Sequence, residues 1–223
     1  MKKYQVAFFL TAATTVGIFY AWTRISAEFG LSPRGDESSD REPRPVTPLL
    51  HLVSDRMISG SEKAAGTPAP DFQARGNDGK LYRLSEIVNN GPAVLVFIKD
   101  GCSCSRSADQ YLQRLHAAGR GWVPFFGVID GGVMVADRWV EQTQTIFPIL
   151  ADPELSIIHA YGAESSAYVA FIGPGGRIDK LWAGYSETML KELADRMKPW
   201  VKPGMKPFDV SDAPVELYAG CPY

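Results

Sequence analysis

A chain of 223 residues, 45% hydrophobic and 22% charged, can bury one sizeable core, which fits a single domain with appendages at its ends. The formal net charge is -2 and the isoelectric point is near 5.9. That balance lacks the basic excess nucleic-acid binding needs, and excludes that class of partner.

Lys2 and Lys3 precede an uncharged, mostly apolar run from Tyr4 to Thr23. At about 1.5 Å per residue this run is long enough to cross roughly 30 Å of hydrocarbon. Residues 1–27 therefore read as a membrane anchor, with a cleaved signal segment as the alternative; the cleavage candidate Ile25-Ser26-Ala27 is poor. Tyr20 and Trp22 suit a membrane interface, and the two lysines place the N-terminus in the cytoplasm. The remainder is then expected outside the cytoplasm, on the periplasmic side, where disulfides persist.

Residues 28–65 read as a flexible tether, rich in Ser, Pro, Gly and mixed charge up to Val46, with a short amphipathic helix expected over Pro48 to Ile58 and linker composition from Ser59 to Pro70. The domain, residues 66–198, opens with two short strands from Asp71 to Leu84 around the turn Asn77-Asp78-Gly79. Ser85 is expected to cap a brief helix that ends at Asn89-Asn90-Gly91. Val94 to Ile98 is a continuous apolar run between Pro92 and Gly101 and reads as a buried strand. Ala108, Tyr111, Leu112, Leu115 and Ala118 then recur at helical spacing until Gly119.

Further elements follow in order: a strand over Trp122 to Ile129, a helix over Val135 to Gln144 and a short strand over Phe147 to Ala151. A short helix over Pro153 to Tyr161 leads to a hairpin, Tyr168 to Ile172 and Ile178 to Ala183, around Gly173-Pro174-Gly175-Gly176. A last helix over Ser186 to Met197 carries Met189, Leu190, Leu193, Ala194 and Met197 on one side. Strands alternating with helices and ending in an antiparallel pair predict an α/β fold, a mixed central sheet with helices on both faces. Residues 199–223 form a C-terminal tail.

The chemistry concentrates where the buried strand hands over to the long helix, at Gly101-Cys102-Ser103-Cys104-Ser105-Arg106. The free N–H groups and positive dipole end of a helix favour an anion, and a thiolate there has its pKa lowered from about 8.5. Cys102 is the expected nucleophile, with Arg106 adding positive charge and Ser105 a hydroxyl donor. The plainer alternative is a pair of small cysteines packed in a core.

Several segments resemble, in order and spacing, the thioredoxin-like redoxins, a group that includes the AhpC/TSA peroxiredoxins and the membrane-anchored thiol-disulfide oxidoreductases. They are Gly66-Thr67-Pro68-Ala69-Pro70-Asp71-Phe72, Asp78-Gly79-Lys80, Leu84-Ser85, Val94 to Cys102, Phe147-Pro148-Ile149-Leu150-Ala151-Asp152-Pro153 and Phe171 to Ile178. The resemblance covers about Gly66 to Met197 and implies a thioredoxin-like fold with Cys102 as the attacking thiol.

The chain departs from this group at informative places. The position three after Cys102, where thioredoxins carry the second cysteine, is Ser105. Cys104 is displaced by about 200° around an ideal helix, so a Cys102–Cys104 bridge needs an unwound first turn and would be strained. Leu95 and Lys99 stand where peroxiredoxins carry a proline and a hydroxyl residue, and Ala167 where thioredoxins carry a proline facing the active site. Cys221 lies in the tail, which has enough apolar surface in Phe208, Val210, Val215, Leu217, Tyr218 and Tyr223 to dock on the domain. Docked, Cys221 is a candidate resolving thiol; undocked, it is a free thiol in a loose terminus.

These readings converge on a membrane-tethered, extracytoplasmic thiol oxidoreductase with antioxidant or redox-homeostatic work. Cys102 attacks a protein disulfide or a peroxide, Cys104, Cys221 or an external thiol reductant resolves the product, and no cofactor is needed. One alternative is Cu(I) handling by Cys102 and Cys104 with a histidine, although His51, His116 and His159 lack recognisable ligand spacing. The other is a binding module that kept the fold without the chemistry.

Overall fold

A serine before a charged turn starts the first helix. In the computed structural model, which describes residues 51–223, strand β1 (His51–Leu52) precedes helix α1 (Asp55–Ala64). Ser54 caps α1 by accepting from the Met57 N–H, Asp55 lies in its first turn and Lys63 in its last. The helix expected over Pro48 to Ile58 thus begins later and runs through residues expected as linker. The capping serine sets its start, and its apolar positions Met57 and Ala64 pack on the domain. The expected anchor, 1–27, and the tether as far as residue 50 lie outside the described residues. Among the described residues no helix is long and apolar enough to cross a membrane.

The hairpin forms as expected, β2 (Gln73–Arg75) against β3 (Leu81–Arg83). Helix α2 (Leu84–Ile87) follows, with Arg83 at its N-cap. Ser85 is inside that helix rather than its cap, and its N–H donates to Asp71 Oδ1 instead.

Strand β4 (Ala93–Ile98) is buried at every position, which an unbroken apolar run allows only in the middle of a covered sheet. Helix α3 (Ser103–Ala118), β5 (Phe125–Ile129), α4 (Val133–Thr143), β6 (Ile149–Ala151) and α5 (Ser156–Ala160) follow. The hairpin β7 (Val169–Gly173) and β8 (Arg177–Trp182) and helix α6 (Glu187–Met197) complete the domain, with Ser186 accepting from Met189 N–H at the start of α6. The sheet order is β6-β5-β4-β7-β8, parallel across the first three strands and antiparallel across the last three.

The two-residue period of β4 divides the core. Val94, Val96 and Ile98 face Leu112 and Leu115 of α3, Trp139 of α4 and Leu190 and Leu193 of α6. Leu95 and Phe97 face the other way, toward Ile158 of α5 and Leu84 of α2. Beyond α6 the tail turns back across the α3 side. Lys206 N–H donates to Ala118 O at 2.9 Å, Arg114 pairs with Asp212 at 2.7 Å, and Val210 and Ala213 are buried. Tyr218 and Tyr185 exchange backbone hydrogen bonds, and β9 (Tyr218–Ala219) pairs with β1. The tail is docked, and it ends at the N-terminus of α3.

Candidate active site

The turn that delivers Cys102 is set by short-range constraints. After Ile98 the chain reverses through Gly101, whose φ of +75° is costly for any residue with a side chain. Asp100 N–H donates to Asp130 Oδ1 at 2.6 Å, Asp100 pairs with Arg138 of α4 at 2.6 Å, and Lys99 N–H donates to Ser105 Oγ at 3.2 Å. Cys102 is left as the N-cap of α3, with extended backbone, so it is not in helical register with Cys104.

Cys102 is only 3% exposed, yet its sulfur faces polar donors. The backbone N–H of Cys221 donates to Cys102 Sγ at 3.2 Å and the Ser166 hydroxyl at 3.5 Å. Burial pushes the thiol pKa up, but hydrogen bonds from the Cys221 thiol, the Ser166 hydroxyl and the Cys221 N–H outweigh it. The Ser105 N–H adds to them without closing a capping hydrogen bond, and the pKa falls to about 6. At neutral pH such a thiol is mostly ionised, which is what a nucleophile requires.

The neighbouring sulfurs behave oppositely. Burial pushes the Cys221 thiol up to about 11, and its hydrogen bond to Cys102 and the charge there add to the rise. Burial also raises Cys104, helped by the Cys102 charge, while the His51 backbone acts in the lowering direction. No disulfide joins any of the three cysteines in this structure. Of the three thiols, Cys102 alone is shifted toward the ionised form, while Cys104 and Cys221 are shifted toward the protonated one.

Two expected helpers are placed differently. Arg106 turns outward, its guanidinium donating to Gln142 Oε1 at 2.8 Å, so it does not hold the thiolate. The Ser105 hydroxyl is taken up by Lys99 N–H, and it is the Ser105 backbone that faces the sulfur. Of the histidines weighed for copper handling, His116 packs edge-on against Phe125 and Phe147 at 5.1 and 5.7 Å, and His51 meets Cys104 through its backbone. Among the described residues no three His, Cys, Asp or Glu side chains are grouped to hold a metal ion.

The contributor that sequence reasoning missed is Ser166, fully buried three residues before β7. Its neighbour Ala167 has φ +64° and donates its N–H to Phe97 O at 2.7 Å. A left-handed alanine is held there at a cost of about 1–2 kcal/mol, beside a Ser166 whose hydroxyl reaches Cys102 and whose backbone pairs with Gly220 and Cys221. The signal available in the sequence was positional only: a serine just before the strand that pairs antiparallel with β4.

The sequence model of the AhpC/TSA family matches residues 65–180, just over half of the chain. Among curated proteins none matches the sequence. The fold is similar to that of the peroxidoxin BcpB of Mycobacterium tuberculosis, at 17% identity and a TM-score of 0.51, covering 60% of this chain and 95% of that one. It is similar also to a putative thiol:disulfide interchange protein DsbE of Chlorobium tepidum, at 19% identity and a TM-score of 0.55, covering 61% and 97%. MTB dsbF, solved in mixed oxidised and reduced forms, aligns at 25% identity and a TM-score of 0.52, covering 60% and 98%.

Proposed function

The chain belongs to the AhpC/TSA family of thiol-dependent oxidoreductases, and from that premise we propose that it carries out thiol-disulfide exchange with Cys102 as the attacking thiol and Cys221 as the resolving one. The observation that carries this reading is the seating of Cys221 on Cys102 by the docked tail, N–H to Sγ at 3.2 Å. The Cys102 thiolate attacks a disulfide sulfur of the substrate, a new S–S bond forms and the other substrate sulfur leaves as a thiolate. Formation of the mixed disulfide removes the negative charge that helps to keep Cys221 protonated. Cys221 can then lose its proton and attack the Cys102 sulfur, releasing the second substrate thiol and leaving a Cys102–Cys221 disulfide. An external thiol reductant returns the pair to the reduced state.

Exchange is favoured over peroxide reduction by the local donors. Lys99, at the position of the peroxiredoxin hydroxyl residue, pairs with Asp130 at 3.7 Å and lies 5.6 Å over the Tyr223 ring. The Ser105 hydroxyl oxygen accepts from Lys99 N–H, and it is the Ser166 hydroxyl that donates to the Cys102 sulfur. Oxidation of the protein by glutathione disulfide, followed by peptide mapping, should yield a Cys102–Cys221 link. Slow, equal alkylation of all three cysteines with no link formed would overturn the reading. Stopped-flow oxidation by hydrogen peroxide should proceed no faster than for a free thiol.

The charge and apolar pattern of residues 1–27 supports a membrane-tethered enzyme acting outside the cytoplasm. Carbonate extraction and protease protection in cells test this. Release into the soluble fraction, or protection on the cytoplasmic side, would count against it.

A further inference from the structure

The tail reaches Cys102 as a strand. Gly220 N–H donates to Ser166 O at 2.7 Å, Ser166 N–H donates to Cys221 O at 3.0 Å, and Pro222 forms an antiparallel bridge with Ser165. Both backbone groups of Ser166 are engaged by one short segment, which leaves the Cys221 N–H aimed at the Cys102 sulfur. One residue past the bridge, Tyr223 N–H donates to Glu164 O at 3.2 Å, and its ring lies under Lys99.

This seat leaves no room for a side chain before the cysteine. A Cβ at position 220 would stand 1.9 Å from Ser166 Oγ and 3.0 Å from the Ser166 carbonyl carbon and oxygen. The hydroxyl cannot turn aside freely, because Ser166 is fully buried and its Oγ donates to Cys102. Rotation would remove a donor from the thiolate, and the carbonyl contact would remain.

We propose that this seat is a peptide-docking site for an extended segment of a partner polypeptide whose cysteine is preceded by glycine, with Ser166 setting that preference and the chain's own tail as a tethered competitor. The proposal rests on the reading of Cys102 as the attacking thiol and names the class of substrate that thiol meets. A partner segment enters as the tail leaves, pairs with Ser165 and Ser166, and lays its own cysteine where Cys221 now sits.

The test uses the full chain carrying Gly220→Ala and Cys221→Ser, so that the tail is dislodged and its thiol removed. Two peptide probes, Ala-Gly-Cys-Pro-Tyr and Ala-Ala-Cys-Pro-Tyr, carry their cysteine as a disulfide with thionitrobenzoate. Attack by Cys102 forms the peptide disulfide and releases the coloured thionitrobenzoate anion, with mass spectrometry confirming the labelled cysteine. The glycine probe is expected to react at least about tenfold faster than the alanine probe. Adding Ser166→Gly should narrow the difference to about threefold or less, since the 1.9 Å contact with the hydroxyl is gone and only the looser 3.0 Å contact with the carbonyl remains. Equal rates with Ser166 present overturn the proposal. Failure of Cys102 to react even with dithiobis(nitrobenzoate) would instead overturn the oxidoreductase reading, so the two failures are distinguishable. A chain ending at Ala219 provides the same comparison where Gly220→Ala lowers the yield of folded protein.

Discussion

The backbone N–H of Cys221 donates to the sulfur of Cys102 at 3.2 Å, across 119 positions of sequence. One bond thus ties the end of the chain to the N-terminus of α3 and lends a dipole to the charge held there. Neither cysteine has this property alone, because Cys102 without the tail loses donors and Cys221 without Cys102 has nothing to resolve.

Removing the Ser166 hydroxyl should weaken the nucleophile without removing it. Hydrogen bonds to a charged group contribute about 1.5–3 kcal/mol, equivalent to roughly 1–2 pH units. The ultraviolet absorbance of the thiolate should titrate with a midpoint near 6 in the native protein, and Ser166→Ala should raise that midpoint by about 1–2 units. An unchanged midpoint would show that the hydroxyl does not contact the ionised sulfur.

The same thiolate makes the stability of the reduced protein depend on pH. Its folded pKa of about 6 lies below the ordinary 9.0, so its contribution is present in full above pH 9 and is lost as pH falls through 6. Three units correspond to at most about 4 kcal/mol. The elevated Cys221 works in the opposite sense, but from pH 9 up to about 11, outside that window. Denaturant unfolding under reducing conditions should therefore show the native protein gaining stability over Cys102→Ser from pH 6 to pH 9. A constant difference across that range would contradict the assignment.

Much of the scaffold was legible because its patterns are local. The run Val94 to Ile98, the helical repeat from Ala108 to Ala118 and the stripe from Met189 to Met197 each state a period, and the structure places each on the expected element. The position of Cys102 was legible for the same reason. Cys221 was legible as one of two alternatives, through the apolar residues of its tail, whereas Ser166 was not, because topology brings it there and Ser165-Ser166-Ala167 carries no periodic signal. Arg106 shows the converse failure: closeness in sequence to a helix N-terminus says nothing about which way a long side chain turns, and Gln142 of α4 draws it outward. Helix α1 was placed too early because composition was weighed above the cap at Ser54.

Ala167 is where a proline would be expected in thioredoxins, and the local geometry forbids one here. Its φ of +64° is far from the −65° a proline ring imposes, and its N–H is used on Phe97 O. Ala167→Pro should cost more than about 3 kcal/mol, the loss of a buried hydrogen bond together with a forced change of backbone. Ala167→Gly should stabilise by about 0.5 kcal/mol, as relief of the left-handed cost is partly offset by a more flexible unfolded chain. Urea unfolding of the two variants checks both signs, and a proline variant as stable as the native protein would show that the turn can invert.

Asp109 is a buried acid within α3 itself. It is 1% exposed; its Oδ2 accepts from Gln113 Nε2 at 2.6 Å and Thr145 Oγ1 at 2.9 Å, while Oδ1 has no partner. Burial raises its pKa to about 6 against the lowering effect of those two donors. For a carboxyl raised from 3.8, the stabilising contribution is present in full below pH 3.8 and is lost as pH climbs through 6. Asp109→Asn keeps a neutral acceptor for Gln113 and Thr145 but leaves an amide N–H₂ beside the unpartnered position, at a cost of about 1 kcal/mol. The variant should accordingly be no more stable than the native protein at pH 5 and more stable by about 1–2 kcal/mol at pH 8. Unfolding curves that stay parallel from pH 5 to pH 8 would show that Asp109 remains ionised throughout, with water or another donor reaching Oδ1.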